Sequence, residues 1–589
     1  MRSRRRNGWS RFLMVAKPFF RSDAGRRGIG LFCLILLLVL VVKGLDIRNS
    51  YVYGDLITSA TERQAEQVFR LALLYGGVFA LSAVVAAFLR FTEDSLGLRW
   101  RGWLTRHLTD RYLANRAYHR LKTASQLDNP DQRITEDVKT FTTNSLSIVL
   151  MLVNSTVALA GFAGVLYSIT PWLLVGAVGY AAFGTCMTIL LGKRLVGLDV
   201  QQFKKEADFR YELIRVREHA DPVALHRGEA KENQRVRGRL QKVLDNFRVI
   251  IGVNRNLGLF TSWYGHMTSL IPVLITLPLY MRGEIEFGQV LQAQVGFNFV
   301  LDAFSLIVKE FQKITTFAAV VERLGAFYEA TEDVPPDAEK SGIEIAGDEA
   351  RVAFERLTLA TPDDGRVLIE NLSLNIPQGT RLLILGPDGS GRTSLMRATA
   401  GLWKAGHGRI IRPPAEQMMF LTQQPYLTLG SLRDQLLYTT PVGATIPDDR
   451  LLAVLDDVGL DAVVERVGGL DVEQRDWEHV LSLGEQQSLA FARLLLAEPK
   501  FAFLDEATSA LDDSRARHLH DLLARTSTTF LSVGTGRGLI EYHDLLLQLR
   551  GDGTWHVTAL VQEPFPAEWS SSPSDLLELS EKTGVPEVA

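Results

Sequence analysis

The stretch GPDGSGRTS, residues 386–394, decides the fold of the second half of this chain. An apolar run at 381–385 precedes it, and a helix-like run at 395–400 follows it. A buried strand, a glycine-rich turn and a helix in this order are typical of a phosphate-binding loop, whose backbone N–H groups and helix N-terminus attract anions. Arg392 stands where the pattern G-x-x-x-x-G-K-[ST] has lysine. Taken alone, the match also fits a plain turn between a strand and a helix.

The composition divides the chain into two halves. A length of 589 residues is too great for one hydrophobic core, and the 47% hydrophobic content and net charge of -3 conceal long uncharged runs in the first half. The two cysteines, Cys33 and Cys186, lie inside apolar runs and indicate no disulfide or metal framework. The basic start, residues 1–6, precedes a span-length apolar run without a small-residue cleavage site, which indicates a retained anchor.

The first half is predicted to cross a membrane. A spanning helix needs about 20 mainly apolar residues. Six runs meet this requirement: 28–45, 71–89, 146–169, 172–191, 257–280 and 287–308, of which the last is the least apolar. The charged connections at 90–145 and 192–256 show helical spacing and are predicted to continue the helices outside the membrane. The basic N-terminus and the arginine-rich first connection are predicted to lie on the cytoplasmic side, and an even number of spans then puts both chain ends in the cytoplasm.

Polar residues inside the predicted spans call for partners. Lys43 lies near the end of a span, and we expect its side chain to extend to the membrane interface. Asp302 either faces a water-filled cavity or pairs locally with another polar group. The other polar residues in the spans are Asn154, His266 and Asn298.

Two motifs after the phosphate loop favour a nucleotide site over a plain turn. Gln423 stands at the predicted end of a strand, where its side chain can reach a metal ion and a water molecule. Asp505 and Glu506 end a short apolar strand, and such a pair suits a Mg²⁺ ligand followed by a residue that polarises water. These motifs occur in a fixed order along the chain.

A third motif, LSLGEQQ at 481–487, precedes an apolar helix. Its serine and glycine offer a hydroxyl and free N–H groups to an anion at the helix N-terminus. Ser482 and Glu485 also have the spacing of a capping box, which leaves a purely structural role open. Asp512 follows the acidic pair directly, in the run SALD.

These motifs together resemble the nucleotide-binding domain of an ATP-binding cassette (ABC) transporter, and the spans before them resemble an exporter-type half-transporter that works as a dimer. The segments RPP at 412–414, QQPYLTLGSLRDQLLY, DWEHVLSLGEQQ and, in the membrane half, NPDQRITEDV at 129–138 are similar to one subgroup. It contains peroxisomal fatty-acyl transporters and bacterial transporters of vitamin B12 and antimicrobial peptides. The resemblance covers roughly residues 90–549.

The resemblance implies ATP and Mg²⁺ as ligands and assigns a role to each matching position. It implies a Walker A loop that binds ATP, Gly386, Pro387, Asp388, Gly389, Ser390, Gly391, Arg392, Thr393 and Ser394; signature residues Ser482, Gly484, Glu485 and Gln486; and the D-loop residue Asp512. Thr393, Gln423 and Asp505 are the implied Mg²⁺ ligands. Glu506 and Gln423 are the implied catalytic residues.

Two positions depart from the family pattern. Arg392 replaces the lysine, and Thr535 replaces the histidine expected after the last strand. A planar, forked guanidinium does not reproduce an ammonium, and threonine cannot reach a γ-phosphate as an imidazole does. His543 matches a different family position and does not fill this gap. Because hydrolysis depends on positioning and electrostatic stabilisation, we expect the chain's own site to hydrolyse ATP poorly.

The predicted fold is therefore a six-span α-helical membrane bundle followed by an α/β P-loop nucleotide-binding domain. The predicted parts are a basic cytoplasmic N-terminus (1–27), the transmembrane domain (28–327), a linker (328–342), the nucleotide-binding domain (343–561) and a flexible tail (562–589). The predicted function is an ATP-binding subunit that moves a peptide-like, cobalamin-like or amphipathic substrate across a bacterial inner membrane. Its predicted partners are a second half-transporter, in a homodimer or heterodimer, and membrane lipid, with no nucleic acid. A nucleotide-binding membrane regulator that does not pump is the alternative.

Overall fold

The structure is a computed structural model that describes residues 7–123, 129–331, 342–362, 364–441, 443, 445–474, 476–534 and 537–560. Thr535, most of the predicted linker and the predicted C-terminal tail lie outside the described residues. The chain divides into two compact units, with the boundary between residues 333 and 334.

The first unit is helical. Its helices are α1 (Gly8–Arg21), α2 (Asp23–Thr61), α3 (Ala65–Leu113), α4 (Ala117–Thr123), α5 (Pro130–Gln132), α6 (Val138–Ile169), α7 (Pro171–Glu218), α8 (Ala220–Leu225), α9 (Glu229–Met281), α10 (Phe287–Lys309) and α11 (Phe311–Thr331). A π-helical turn, Arg133–Asp137, joins α5 to α6. Helices α3, α7 and α9 extend far beyond their apolar runs, as the helical spacing of the charged connections predicts. Helix α11 continues to Thr331, so the first four residues of the predicted linker, 328–331, are helical.

Within the described residues, four helices are long and apolar enough to cross a membrane: Asp23–Thr61, Ala65–Leu113, Pro130–Ile169 and Pro171–Glu218. They contain the first four predicted spans. The fifth and sixth predicted spans lie in α9 and α10, which are not among these four helices. Helix α9 carries Pro272 and Pro278, and α10 carries polar residues along its length. The count of six spans stays a prediction.

Lys43, whose side chain the sequence predicts to extend to the membrane interface, has two partners inside the helical unit. Its Nζ atom lies 2.9 Å from Asp46 Oδ2, one helical turn away in α2. The same ammonium lies 5.3 Å from the centroid of the Phe299 ring on α10. A carboxylate one turn away and an aromatic face together stabilise the charge locally, and the extension to the interface stays a prediction.

Helix α1 is an element that the interpretation of residues 1–27 as a basic N-terminus missed. It buries Val15, Ala16 and Phe19 against the helical core. Arg11 pairs with Glu322 and Glu329 on α11, with 3.0 Å between its Nη2 and Glu329 Oε2. The basic residues of this segment therefore include one that fixes α1 to the last helix of the unit.

The second unit contains two sheets. Its strands are β1 (Ile343–Gly347), β2 (Arg351–Ala360), β3 (Val367–Pro377), β4 (Leu382–Leu385), β5 (Gly406–Arg412), β6 (Met418–Leu421), β7 (Phe501–Asp505), β8 (Thr529–Val533), β9 (Leu545–Leu549) and β10 (Trp555–Ala559). Its helices are α12 (Arg392–Thr399), α13 (Leu432–Leu437), α14 (Asp448–Asp457), α15 (Asp461–Val467), α16 (Trp477–Val480), α17 (Leu483–Ala497) and α18 (Asp513–Ala524). The sheet orders are β1-β5-β2-β3 and β10-β9-β4-β8-β7-β6.

The six-stranded sheet determines where the site forms. Strands β9, β4, β8, β7 and β6 run parallel, and β10 is antiparallel to β9. Strands β4, β7 and β8 are short apolar runs buried on both faces, which is the pattern of a sheet covered on both sides. The residues that follow β4, β6, β7 and β8 therefore emerge at one edge, where ligands bind in folds of this kind.

Candidate nucleotide-binding site

The phosphate loop connects β4 to α12. Gly389 and Gly391 have φ angles of 76° and 100°, which residues with a side chain rarely adopt. At Gly386 an added Cβ would lie 2.6 Å from the carbonyl oxygen of Leu549 on β9, so only glycine fits this approach. The three glycines thus produce the tight turn that the sequence predicts.

Arg392 is the first residue of α12, and its side chain is 8% exposed. Its Nη2 donates to Asp388 Oδ1 at 2.7 Å within the same loop. The same Nη2 lies 3.5 Å from Glu506 Oε1. Its Nη1 is buried without a hydrogen-bond partner, and so is the hydroxyl of Ser390. The guanidinium therefore contacts two carboxylates and keeps one unpaired group inside the loop.

Thr393 and Asp505 are adjacent although they are far apart in sequence. The Thr393 hydroxyl donates to Asp505 Oδ1 at 3.2 Å, which joins the start of α12 to the end of β7. Burial raises the pKa of Asp505, although the bond from Thr393 and the charges of Arg397 and Arg392 act in the opposite direction. A half-buried carboxylate next to a hydroxyl is a donor set that suits a hard cation.

Glu506 follows Asp505 with a φ of 51°, in the left-handed region. Its backbone N–H donates to the Val533 carbonyl at 2.9 Å, which holds it beside the end of β8. A glutamate in this conformation is strained, and such strain is typical of functional positions. The side chain faces Arg392, so the predicted base and the altered Walker A position are in direct contact.

Gln423 lies just after β6, and its side chain is exposed. Its backbone carbonyl accepts a bond of 2.8 Å from Gln487 Nε2. The structure thus places Gln423 at the predicted edge of the sheet, and its backbone is attached to the LSLGEQQ segment.

Ser482 and Glu485 form the capping box that the spacing indicates. The Ser482 hydroxyl accepts from the Glu485 N–H at 3.3 Å, and Glu485 Oε2 accepts from the Ser482 N–H at 2.9 Å. Burial opposes ionisation of Glu485, but hydrogen bonds from Arg466 and Ser482 hold the pKa of Glu485 below its usual range. The exposed Ser482 starts α17, so one residue caps the helix and also offers its N-terminus to solvent.

Three further predicted residues, Gln486, Gly484 and Asp512, make contacts that support the structure of the unit. Gln486 donates through Nε2 to the Leu481 carbonyl at 3.0 Å. At Gly484 an added Cβ would lie 3.1 Å from the Ala510 carbonyl, so α17 begins close to the D-loop segment. Asp512 caps α18, because its Oδ1 accepts from the N–H groups of Ser514 and Arg515 at 3.1 and 2.9 Å.

Gln487 is a residue that the sequence interpretation quoted without assigning a role. Its side chain is fully buried. Its Nε2 donates to the Gln423 carbonyl at 2.8 Å and to the Ser509 hydroxyl at 3.2 Å, and its Oε1 accepts from the Ala510 N–H at 2.9 Å. One side chain therefore joins the segment at Gln423, the signature helix α17 and the D-loop segment at 509–510.

Arg493, on the same helix, was also missed. Its guanidinium donates to the carbonyls of Gln435 and Tyr426 at 2.6 and 2.7 Å and to Gln435 Oε1 at 2.9 Å. Burial lowers the pKa of Arg493 to about 10. A single charge inside an apolar helix pattern is the sequence signal that could have indicated this buried network.

His543 has a structural environment, in agreement with its exclusion from the predicted site. Burial lowers its pKa to about 4, so the ring is neutral at ordinary pH. Nδ1–H donates to the Leu539 carbonyl at 2.6 Å, and Nε2 therefore accepts from the Ser532 hydroxyl at 2.9 Å. Both nitrogens are thus used inside the unit.

The geometry of the loop fits an anion and a hard cation. The unpaired Arg392 Nη1 and Ser390 hydroxyl are buried donors of the glycine-rich loop, and phosphate oxygens bound there would satisfy them. Thr393 and Asp505 would hold Mg²⁺, which neutralises phosphate charge when it is bound. The phosphate loop, the residue after β6 and the acidic pair after β7 define the ATP-binding unit of an ABC transporter.

The chain belongs to the ABC transporter family. Residues 15–281 match the family model of ABC transporter transmembrane region 2, and residues 369–509 match the ABC transporter model. An uncharacterized ABC transporter ATP-binding protein of Synechocystis is 40% identical over 89% of this chain and 81% of its own length. The chloroplastic ABC transporter D family member 2 of Arabidopsis thaliana is 36% identical, over 92% and 86%. The lysosomal cobalamin transporter of Homo sapiens is 31% identical, over 94% and 96%.

The predicted family is thereby confirmed: the chain joins an ABC transmembrane region to an ATP-binding domain and is a membrane transport subunit.

Proposed function

We propose that this chain is a half-transporter whose own ATP site is impaired and that it acts with a different half-transporter. The observation that carries the proposal is the position of Arg392, whose guanidinium lies between Asp388 and Glu506. A planar fork already engaged with two carboxylates cannot take the place of a flexible ammonium at the phosphates. In the proposal, Thr535 adds a second defect, since its side chain cannot act as an imidazole.

The other site residues are retained, which favours an ATP site built from two different subunits over a site that has lost its function. Glu506, Asp505 and the capped start of α17 are all present. In the proposal, Ser482, Gly484, Glu485 and Gln486 complete an ATP site on the partner's phosphate loop. The partner's corresponding segment faces the loop that contains Arg392. A homodimer would contain two impaired sites, so a heterodimer accounts better for this combination.

The proposed membrane arrangement has six spans, the four apolar helices together with residues 257–280 of α9 and 287–308 of α10. The N-terminus and the ATP-binding domain lie in the cytoplasm, and the membrane is a bacterial inner membrane. The basic residues near the N-terminus and in the first charged connection support this orientation. Relatives in Synechocystis and Haemophilus influenzae support a bacterial setting.

The proposed substrate is a cobalamin-like compound, with peptide-like and other amphipathic compounds as further candidates. The human and mouse relatives are lysosomal cobalamin transporters, which supports the first choice. Uptake and efflux of labelled cobalamin in vesicles that contain the native complex would test it. Equal flux with and without ATP would contradict the substrate assignment.

The central experiment measures ATP hydrolysis by the purified chain alone in lipid nanodiscs. We expect turnover far below that of an ordinary transporter and recovery in the double variant Arg392→Lys, Thr535→His. Turnover at an ordinary rate, or no recovery in a double variant that is correctly folded, would contradict the impairment. Mass analysis of the complex after mild detergent extraction then reports whether a second half-transporter is present.

A nucleotide-binding membrane regulator that does not pump is the second candidate, and the contacts of Arg392 favour it as well. The two candidates differ in flux. Substrate movement that requires ATP, in vesicles containing this chain and its partner, supports the transporter. ATP binding without flux of any tested substrate supports the regulator.

A further inference from the structure

The phosphate loop contains an acidic and a basic residue four positions apart, and their side chains form an ion pair. Arg392 Nη2 lies 2.7 Å from Asp388 Oδ1. Asp388 is at the rim of the loop with its side chain fully exposed, whereas the Arg392 side chain is 8% exposed. The guanidinium that replaces the lysine ammonium is thus already paired with a carboxylate of the same loop.

The other terminal nitrogen of the guanidinium, Nη1, has no such partner. Arg392 Nη1 is buried and has no hydrogen-bond partner, and the Ser390 hydroxyl of the same loop is buried and unpaired as well. An unpaired buried donor is costly, so both groups are suited to an incoming anion. A phosphate that uses both arms of the guanidinium fork must displace Asp388, because the Asp388 carboxylate accepts from Nη2 at 2.7 Å, whereas Glu506 is further from the same nitrogen, at 3.5 Å.

We propose that Asp388 competes with the phosphates of the nucleotide for Arg392 and thereby sets the affinity of the chain's own site. This inference rests on the proposed function, in which the loop binds ATP. When the site is empty, the carboxylate holds the guanidinium. Binding of nucleotide requires exchange of that carboxylate for phosphate oxygens, and the displaced negative charge stays next to the phosphates. Asp388 is thus an affinity-determining residue in a loop that the arginine has already altered.

Asp388 could instead hold Arg392 in the orientation that binds phosphate, and this role predicts a different result. If Asp388 preorganised Arg392 for phosphate, its removal would weaken binding, because the fork would lose its orientation. The competitor role predicts the reverse sign. The sign of the affinity change therefore decides between the two roles.

The experiment measures equilibrium binding of a fluorescent ATP analogue to the full chain in nanodiscs, with and without Mg²⁺. We expect Asp388→Asn to tighten binding about 3- to 10-fold, as removal of one ion pair and one repulsive charge near the surface implies. Asp449→Asn, which removes an exposed charge in the first turn of α14, is the matched control and should change affinity less than about 2-fold. Unchanged or weaker binding in Asp388→Asn overturns the proposal.

A second pair of variants tests whether Asp388 acts through Arg392. In the Arg392→Ala background, Asp388→Asn should lose most of its effect, because no guanidinium remains to be released. An equal effect in both backgrounds would assign the change to direct repulsion and overturn the competition. The thermal unfolding midpoint without nucleotide should change little in Asp388→Asn, since asparagine keeps the Oδ1 acceptor for Arg392 and Glu506 stays near the guanidinium.

Failure of the inference and failure of the proposed function give different results. Measurable binding by the parent chain with no gain in Asp388→Asn contradicts only the role of Asp388. Absence of binding in the parent chain, in Asp388→Asn and in Arg392→Lys contradicts the nucleotide site itself and the proposed function with it.

Discussion

Arg392 illustrates what a single residue in a motif can and cannot predict. The glycine spacing predicts the tight turn, and the structure has positive φ angles at Gly389 and Gly391. The partners of the guanidinium were not predictable in this way. Asp388 reaches it only because of the curvature of the turn, and Glu506 reaches it only because β4 and β7 end at the same edge of one sheet.

His543 gives the second unit a stability that depends on pH. Burial lowers its pKa to about 4, whereas an ordinary histidine titrates near 6.5. The unfolded chain therefore binds a proton between these values that the folded chain excludes, and the stability is fully present above pH 6.5 and lost as the pH falls towards 4. His520 is also buried, and burial lowers its pKa too, which adds to the same slope.

We expect the thermal unfolding midpoint of the ATP-binding unit in the full chain to fall between pH 6.5 and 5, with about 1 kcal/mol lost per pH unit for one such group. His543→Asn should reduce this slope. His407→Asn, at an exposed position of β5, is the matched control and should leave the slope unchanged. A slope that is the same in all three chains would contradict the buried neutral histidine.

Helix α17 joins more of the site than its motif indicates. The sequence predicts a capped helix start from the Ser482–Glu485 spacing, and the structure confirms the capping box. The contacts made further along the helix depend on which segments pack against it. Those segments, near Gln423, Gln435 and Ala510, are distant in sequence, so periodicity indicates only that this face is buried.

Arg493 should be the main polar support between α17 and the segment that follows β6. Replacing it with methionine leaves the Gln435 and Tyr426 carbonyls without their donor while most of the side-chain volume remains. We expect a loss of about 2–4 kcal/mol in the free energy of unfolding, since a buried charged hydrogen-bond network is broken. Denaturant unfolding of the full chain would measure it.

Gln435→Leu and the double variant provide the control for this network. If Arg493 acts through Gln435, the two losses should be clearly less than additive. Additive losses would show that Arg493 stabilises the helix independently of that partner.

Gln487 should affect turnover more than nucleotide affinity. It attaches the backbone of Gln423 and the N–H of Ala510 to α17, so its loss should misplace groups that act on bound nucleotide. In the assembled complex, we expect Gln487→Leu to lower kcat about 10-fold with a much smaller change in KM. Steady-state ATPase kinetics would measure both.

Gln487→Glu separates positioning from packing, because it keeps the acceptor for Ala510 and loses both donated bonds. An intermediate kcat is expected. Gln378→Glu, at an exposed turn of the same unit, should have no effect. If kcat and KM change only in proportion to lost folded protein, Gln487 has no positioning role.

The whole chain combines parts that the sequence predicts to different degrees. Four apolar helices were predictable from length and composition alone. The fifth and sixth spans were less certain because α9 and α10 carry polar and proline residues among the apolar ones. What the apolar pattern does not show is how α9 packs against the earlier helices. The Tyr180 hydroxyl on α7 donates to the Tyr264 carbonyl on α9 at 2.8 Å, and the Tyr264 hydroxyl donates to the Tyr180 carbonyl at 3.2 Å.

The topology can be decided at the short turn between α9 and α10. Four spans return the chain to the side on which it started, and the proposed arrangement keeps both chain ends on one side, so in that arrangement α9 and α10 either both cross the membrane or both stay on that side. Helix α9 ends at Met281 and α10 begins at Phe287, so the turn is too short to cross a bilayer itself. If both helices cross, Glu284 is exposed on the opposite side from the ATP-binding domain.

We expect a cysteine placed at Glu284, in a chain with Cys33 and Cys186 replaced by serine, to react with a membrane-impermeant maleimide in intact cells. A cysteine at Arg210, in the long extension of α7, is the matched control and should react only after the membrane is opened. Labelling of both positions only in opened membranes would place the α9–α10 hairpin on the cytoplasmic side and reduce the spans to four. Both of these arrangements have an even number of spans and keep the proposed position of the ATP-binding domain on the side of the N-terminus, so only the turn distinguishes them.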